Sequence, residues 1–119
     1  MPKLEQGRIV WVELPSSDGT QKKRRPAVII TATAEIAAGK PFAVVAVSTK
    51  FPDPLPADHV VLPWHRDGKV RTQLRKPAAA VCSWLCKITE SDVLQTGGVV
   101  PPTEMIEIMR IVQQKVAES

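Results

Sequence analysis

Along residues 7–14, GRIVWVEL, the apolar Val10, Val12 and Leu14 alternate with Trp11 and Glu13, a period of two that predicts a first β-strand. The polar stretch PSSDGTQKKRR then reads as a loop punctuated by Pro15, Asp18 and Gly19, and PAVIITAT resumes as a β-branched second strand. Pro26 opens that strand, where no ladder hydrogen bond has yet been lost, so the pair reads as a hairpin with a long loop. AEIAAGK is a connector with a helical turn before Gly39, and PFAVVAVST is a third strand, apolar throughout and so buried on both faces. Prolines 52, 54 and 56 hold KFPDPLPADH in an extended loop. VVLPW restarts a strand, HRDGKV turns on Asp67-Gly68, and AAAVCSWLCKI is the last long strand, five in all.

In TESDVLQTGG, Thr89 stands three residues before Asp92 in a capping pattern and a glycine pair closes the segment, which predicts a short helix over about residues 90–95. The segment PPTEMIEIMRIVQQKVAES is a clearer helix. Met105, Ile108, Met109, Val112 and Val116 recur at steps of three and four, Pro102 suits the first turn, and Glu104 and Glu107 lie near the positive N-terminal end. No internal repeat or linker interrupts the pattern, so residues 1–119 read as a single α+β domain. Its expected shape is a small, strongly bent antiparallel sheet or open barrel with the C-terminal helix laid across it.

Composition narrows the class. Apolar residues make up 44% of the 119, which excludes a disordered chain, and no apolar run approaches the ~20 residues that cross a bilayer. The N-terminus, MPKLEQGRIV, has neither the apolar centre of a secretory signal nor an Arg-rich presequence, and a cytoplasmic location is expected. Cys82 and Cys86 lie four residues apart on one strand, ~13 Å and too far for a disulfide within it, so both are expected as reduced thiols. With no other cysteine, a cysteine zinc site is excluded.

Charge points to a partner. Sixteen Lys and Arg against twelve Asp and Glu give +4, and nine of the sixteen fall in two short segments. Lys22, Lys23, Arg24 and Arg25 form the first, and RDGKVRTQLRK supplies Arg66, Lys69, Arg71, Arg75 and Lys76. A charge run is ordinarily a solvated loop, but two such runs on one face would attract a polyanion. Phosphate-binding glycine loops, nucleophile elbows and paired metal ligands are absent from the sequence. His59 and His65 are read as exposed loop imidazoles before they are read as an acid–base pair.

RNA asks for less machinery than most substrates. Its 2'-hydroxyl attacks the adjacent phosphorus once it is deprotonated, provided that charge on the phosphoryl oxygens is stabilised and the leaving oxygen is protonated. An arginine fork with a hydroxyl donor beside it supplies the middle requirement. Arg25 at the mouth of the second strand and Ser48-Thr49 at the end of the third fit that description, because adjacent strand ends would bring them together.

GRIVWVEL with Gly7 and Trp11, a loop closing in RRPAVII, an apolar strand ending in VAVST, and GGVVPPTEMIEIMRIV together resemble, in order, the MazF/PemK family of toxins; residues 50–88 match weakly. The resemblance implies an SH3-like barrel of the kind shared with CcdB, a homodimer, and cleavage of single-stranded RNA at short motifs without a metal or other cofactor. It also implies inhibition by a small MazE-like antitoxin whose acidic tail lies in the RNA groove. The family's key arginine, directly before its Pro-Ala, falls on Arg25. Its key hydroxyl falls on Ser48 by position and on Thr49 by side-chain identity, and both stay candidates. Lys22, Lys23 and Arg24 then become a mobile cationic lip, with Lys50, Arg71, Gln73, Arg75 and Lys76 as contacts to RNA backbone or base edges. Trp11 and Trp84 are read as core, and Trp64 and Phe51 as candidates for a splayed base or a dimer contact.

One departure bears on catalysis. Many family members carry an acid followed by Gln before the helices, and the nearest counterparts here are Ala78 and Ala79. Either the acid is dispensable in this branch, or Asp67 or Glu13 takes its role, or the protein is a weakened enzyme. The alternative function is therefore a MazF/CcdB-like module that grips RNA or a protein target without cutting.

Overall fold

A computed structural model of the chain describes residues 3–15 and 21–118. Six strands form one sheet: β1 (Arg8–Pro15), β2 (Lys22–Ile29), β3 (Phe42–Ser48), β4 (His59–Leu62), β5 (Ala78–Ile88) and β6 (Gln95–Val99), followed by the helix α1 (Pro102–Glu118). The order across the sheet is β4-β5-β3-β2-β1-β6, with every neighbouring pair antiparallel. The predicted turn of Asp18-Gly19 lies outside the described residues.

Both faces of the sheet are packed, which is why the strands read as nearly continuous apolar runs. On one face Ile9, Val28, Val45, Val47, Leu62 and Ala80 join α1 through Ile108, Ile111 and Val112. On the other, Val10, Val12, Ala27, Ile29, Val44 and Phe42 form a second core with Trp84 at its margin. The helix follows the predicted periodicity as far as its penultimate turn. Ile108 is fully buried, and Met105 and Met109 are half-buried against the core, but Val116 is 60% exposed because the helix has run beyond the sheet.

A curled sheet still has two edges, and here a loop joins them. Gly98 N–H donates to the Thr72 carbonyl at 3.2 Å and Val99 N–H to the Arg71 carbonyl at 3.0 Å. From the other side, His65 N–H donates to the Leu74 carbonyl at 2.9 Å and Thr72 Oγ1–H to the Pro63 carbonyl at 2.6 Å. The segment 71–74 is thus a clasp between β6 and the chain leaving β4, held by Thr72, only 1% exposed. Gly98 makes the approach possible: a Cβ there would lie 2.0 Å from the Arg71 carbonyl oxygen.

Two sequence expectations are corrected. The helix expected over residues 90–95 is a 3-10 turn at Glu90–Asp92 followed by β6, making six strands rather than five. The expected cap is present, with Thr89 N–H donating to Asp92 Oδ2 at 2.7 Å, but the chain leaves the turn extended to pair with β1. The second correction concerns β2, which begins at Lys22 rather than Pro26. Lys22, Lys23 and Arg24 are paired with Pro15, Leu14 and Glu13 of β1, so the cationic run is sheet and not a mobile lip. Pro26 is tolerated inside the strand because the β2–β3 ladder begins only at Ala27, leaving β2 a single neighbour there.

Candidate nucleic-acid groove

Where β2 begins, β3 ends and β6 begins, the sheet opens into a groove of about 760 Å³ roofed by the clasp. One bank carries Trp11, Arg24, Arg25 and Gln95, and the other Asp67, Gln73, Arg75 and Lys76, with Thr49 at the end of β3. Four cations against one carboxylate make the lining strongly electropositive. Gln73 holds a positive φ of 61°, a left-handed backbone conformation unusual for a residue with a side chain.

Of the residues singled out in the sequence, the groove gathers Arg24, Arg25, Thr49, Gln73, Arg75 and Lys76. It does not gather Lys22, Lys23, Ser48, Lys50 or Arg71. Lys22 and Lys23 are exposed farther up the hairpin, and Arg71 is exposed on the clasp. Ser48 is spent locally: its hydroxyl donates to the Lys50 carbonyl at 2.7 Å and accepts from Lys50 N–H at 3.1 Å. Trp11 and Gln95, which the sequence reading placed in the core and at the end of the helix expected over residues 90–95, are part of the lining.

The two adjacent arginines project to opposite faces, as the strand's period of two requires. Arg24 lies over the Trp11 ring, its Cζ 5.5 Å from the centroid, and its Nη2 donates to Gln95 Oε1. Arg25 lies instead over Trp84, 5.1 Å from that centroid, with its Nε buried and without a hydrogen-bond partner. The β2–β3 register, Ala27 against Ala46, extends to set Arg25 opposite Ser48, and Ser48 is itself paired with Ala79 of β5. The paired β2–β3 ladder itself stops at Ala27 and Ala46, so Arg25, Ser48 and Ala79 form a transverse row only by continuing that register two residues toward the strand ends. Ala79 contributes only a buried methyl group to that row. Of the carboxylates considered from sequence, Asp67 lines the groove and Glu13 does not.

The imidazoles are not loose. His59 heads β4, its side chain 11% exposed, with Nδ1 2.7 Å from Asp58 Oδ1, while the Ser83 hydroxyl donates to Asp58 Oδ2. The Ser83 hydrogen bond and then His59 hold the Asp58 carboxyl below the usual carboxylate range, against the opposing effect of burial. The carboxylate stands between hydroxyl and imidazole, so this trio staples the loop before β4 to β5 rather than activating a nucleophile. His65 Nδ1 accepts from Asp67 N–H at 3.1 Å and shapes the turn. Cys82 and Cys86 are free thiols, and burial pushes Cys82 up to about 11. Among the described residues no group of three or more His, Cys, Asp and Glu could hold a metal ion, and no helix is long and apolar enough to cross a membrane.

A curled six-stranded antiparallel sheet with one C-terminal helix and a basic groove across its strand ends defines the class. Residues 5–116 match the family profile described as PemK-like, MazF-like toxin of type II toxin-antitoxin system, and the chain belongs to that family. Among solved structures it resembles MazF of Deinococcus radiodurans, with a TM-score of 0.76, 15% identity, and 98% of this chain and 99% of that one covered. An endoribonuclease from a mycobacterial species in complex with its cognate antitoxin matches with a TM-score of 0.70 at 13% identity, covering 98% and 96%. The Mycobacterium tuberculosis toxin MazF-mt6 matches with a TM-score of 0.67 at 17% identity, covering 92% and 96%. Comparison with curated protein sequences gives no match.

Proposed function

We propose that this protein is a cytoplasmic toxin that cleaves single-stranded RNA at a short motif, without a metal, through attack of the 2'-hydroxyl on the adjacent phosphorus. One observation carries the reading: Arg24, Thr49, Gln73, Arg75 and Lys76, distant in sequence, line a single electropositive groove, with Arg25 at its border and its guanidinium turned to the other face of β2. In the reaction the 2'-oxygen–phosphorus bond forms and the phosphorus–5'-oxygen bond breaks. The 2'-hydroxyl proton goes to a base and the departing oxygen takes one up, leaving a 2',3'-cyclic phosphate and a 5'-hydroxyl. The Arg25 guanidinium lies over Trp84 on the face of β2 opposite Arg24, its Nε without a protein partner, and would meet the charge that develops on the phosphoryl oxygens of RNA passing round the strand ends. Thr49 is the hydroxyl on the groove side, while Ser48, on the other face of β3, is engaged with Lys50. Asp67 is the carboxylate in the groove that would accept the 2'-hydroxyl proton.

The proposal includes a homodimer and an antitoxin whose acidic tail competes for the groove, since an acidic segment and an RNA backbone satisfy the same cations. A second reading, a module that binds RNA without cutting it, is favoured by one observation: the Arg25–Ser48–Ala79 row carries no acid, and Trp84 lies over Arg25.

The test incubates the protein and its Arg25→Ala variant with a long mixed-sequence RNA in EDTA and maps new 5' ends. Recurrent cleavage by the wild type alone supports the ribonuclease. Intact RNA that is nevertheless bound moves the binding module ahead, and cleavage only on adding a divalent metal overturns the metal-free chemistry.

A further inference from the structure

The row Gln95–Trp11–Pro26 crosses β6, β1 and β2, with Arg24 two residues before Pro26 on the same face. Arg24 is therefore held from two sides. The indole lies under its guanidinium, 5.5 Å away, and the Gln95 amide oxygen accepts from Nη2. A guanidinium fixed in this way has lost most of the freedom that a surface arginine would surrender on binding, while four of its five N–H donors remain for a ligand. Gln95 uses one lone pair of its amide oxygen on Arg24 and carries two amide N–H donors besides. This corner of the groove is thus rich in donors and carries a π-surface.

From that arrangement we infer that Trp11, Arg24 and Gln95 form a base-reading corner that selects guanine at one position of the bound RNA. The inference rests on the proposal that the groove binds RNA. Guanine alone presents two adjacent acceptors, O6 and N7, on one edge, and a preformed arginine fork meets both. Adenine and cytosine bring an amino group where the fork presents donors, so donor would meet donor. The glutamine–adenine pairing uses the amide oxygen and nitrogen together, and here that oxygen would have to accept from adenine beside the Arg24 guanidinium it already meets. Uracil offers one acceptor beside a donor and leaves half the fork unmatched. The fork also brings its own stack, since an arginine resting on an aromatic ring presents its outer face to a neighbouring base.

Binding is tested apart from cleavage, with 2'-O-methylated heptauridylates carrying guanine, adenine, cytosine or uracil at the centre, because methylation blocks the attacking oxygen. Fluorescence anisotropy of the end-labelled oligomers on the intact protein reads affinity. The expected result is about tenfold tighter binding of the guanine oligomer than of the adenine one. That preference is largely lost when 7-deazaguanine removes N7, and in Arg24→Lys, which keeps the charge but not the fork. Circular dichroism of Arg24→Lys confirms that the fold is retained. Equal affinity for all four oligomers overturns the inference, as does a preference for adenine or cytosine, or a guanine preference that survives Arg24→Lys. Absence of binding by every oligomer also overturns it; the EDTA cleavage assay then decides separately whether the ribonuclease proposal falls too.

Discussion

Replacing Arg25 by Met separates function from stability, because the folded protein gains little from this arginine. Its guanidinium stacks on Trp84 at 5.1 Å, a cation–π contact that is half-buried and contributes about 0.5–2 kcal/mol. Against this, its Nε is buried without a partner, and an unsatisfied donor of that kind costs about 1–3 kcal/mol. Methionine retains an unbranched apolar stem and substitutes a sulfur–aromatic contact of about 0.3–1.5 kcal/mol. The terms nearly cancel, so Arg25→Met is expected to lie within about 1 kcal/mol of wild type or to exceed it. Removing a charged donor to the developing phosphoryl charge should instead lower cleavage by about 100- to 1000-fold. Urea unfolding followed by tryptophan fluorescence and far-UV circular dichroism gives the first quantity, provided the m-value is unchanged. Initial rates on a fluorophore–quencher RNA give the second. A stability loss beyond about 2 kcal/mol at equal m would show the arginine to be a structural member of the second core. A rate within about threefold of wild type would remove it from the phosphate site.

Two further outcomes follow from the framework around the groove. Gly98→Ala should release the clasp, since its new methyl would collide with backbone that cannot yield. A large fall in the urea midpoint, or rapid hydrogen exchange at Gly98, Val99 and Leu74, would register it, and an unchanged midpoint would refute the clasp. The Asp58 carboxyl has a folded pKa below its unfolded value of about 3.9, so its contribution is complete above that value and disappears as pH falls through the lower folded one. Asp58→Asn should therefore lower stability at pH 7 by more than at pH 3, and urea midpoints showing the same difference at both would contradict the staple.

The sequence revealed elements whose signal is local. β5 was readable over its whole length, Ala78–Ile88, from the alternation of its apolar and polar positions. The helix was readable from its three- and four-residue steps. β6 was missed because its glycine pair signals a helix end, whereas Gly98 is needed for the approach of a chain 26 positions earlier. The start of β2 was missed because four cations outweigh strand propensity locally, although β1 offers them partners. At the site the cations were found by their clustering. Trp11 and Gln95 were not, since a tryptophan in an alternating strand reads as core and a glutamine beside a turn carries no signal until β6 is laid against β1.

The clasp divides its labour by alternate residues. Thr72 and Leu74 are buried and fix the backbone between β4 and β6, while Arg71, Gln73, Arg75 and Lys76 stand exposed. A groove assembled this way can change what it binds without changing how the chain folds. Substitutions at 73, 75 and 76 would alter the groove lining and leave the closure of the sheet to Thr72 and Leu74. Changes in what the groove reads would then gather in one short stretch of chain, with the buried Thr72 and Leu74 set among the exposed positions.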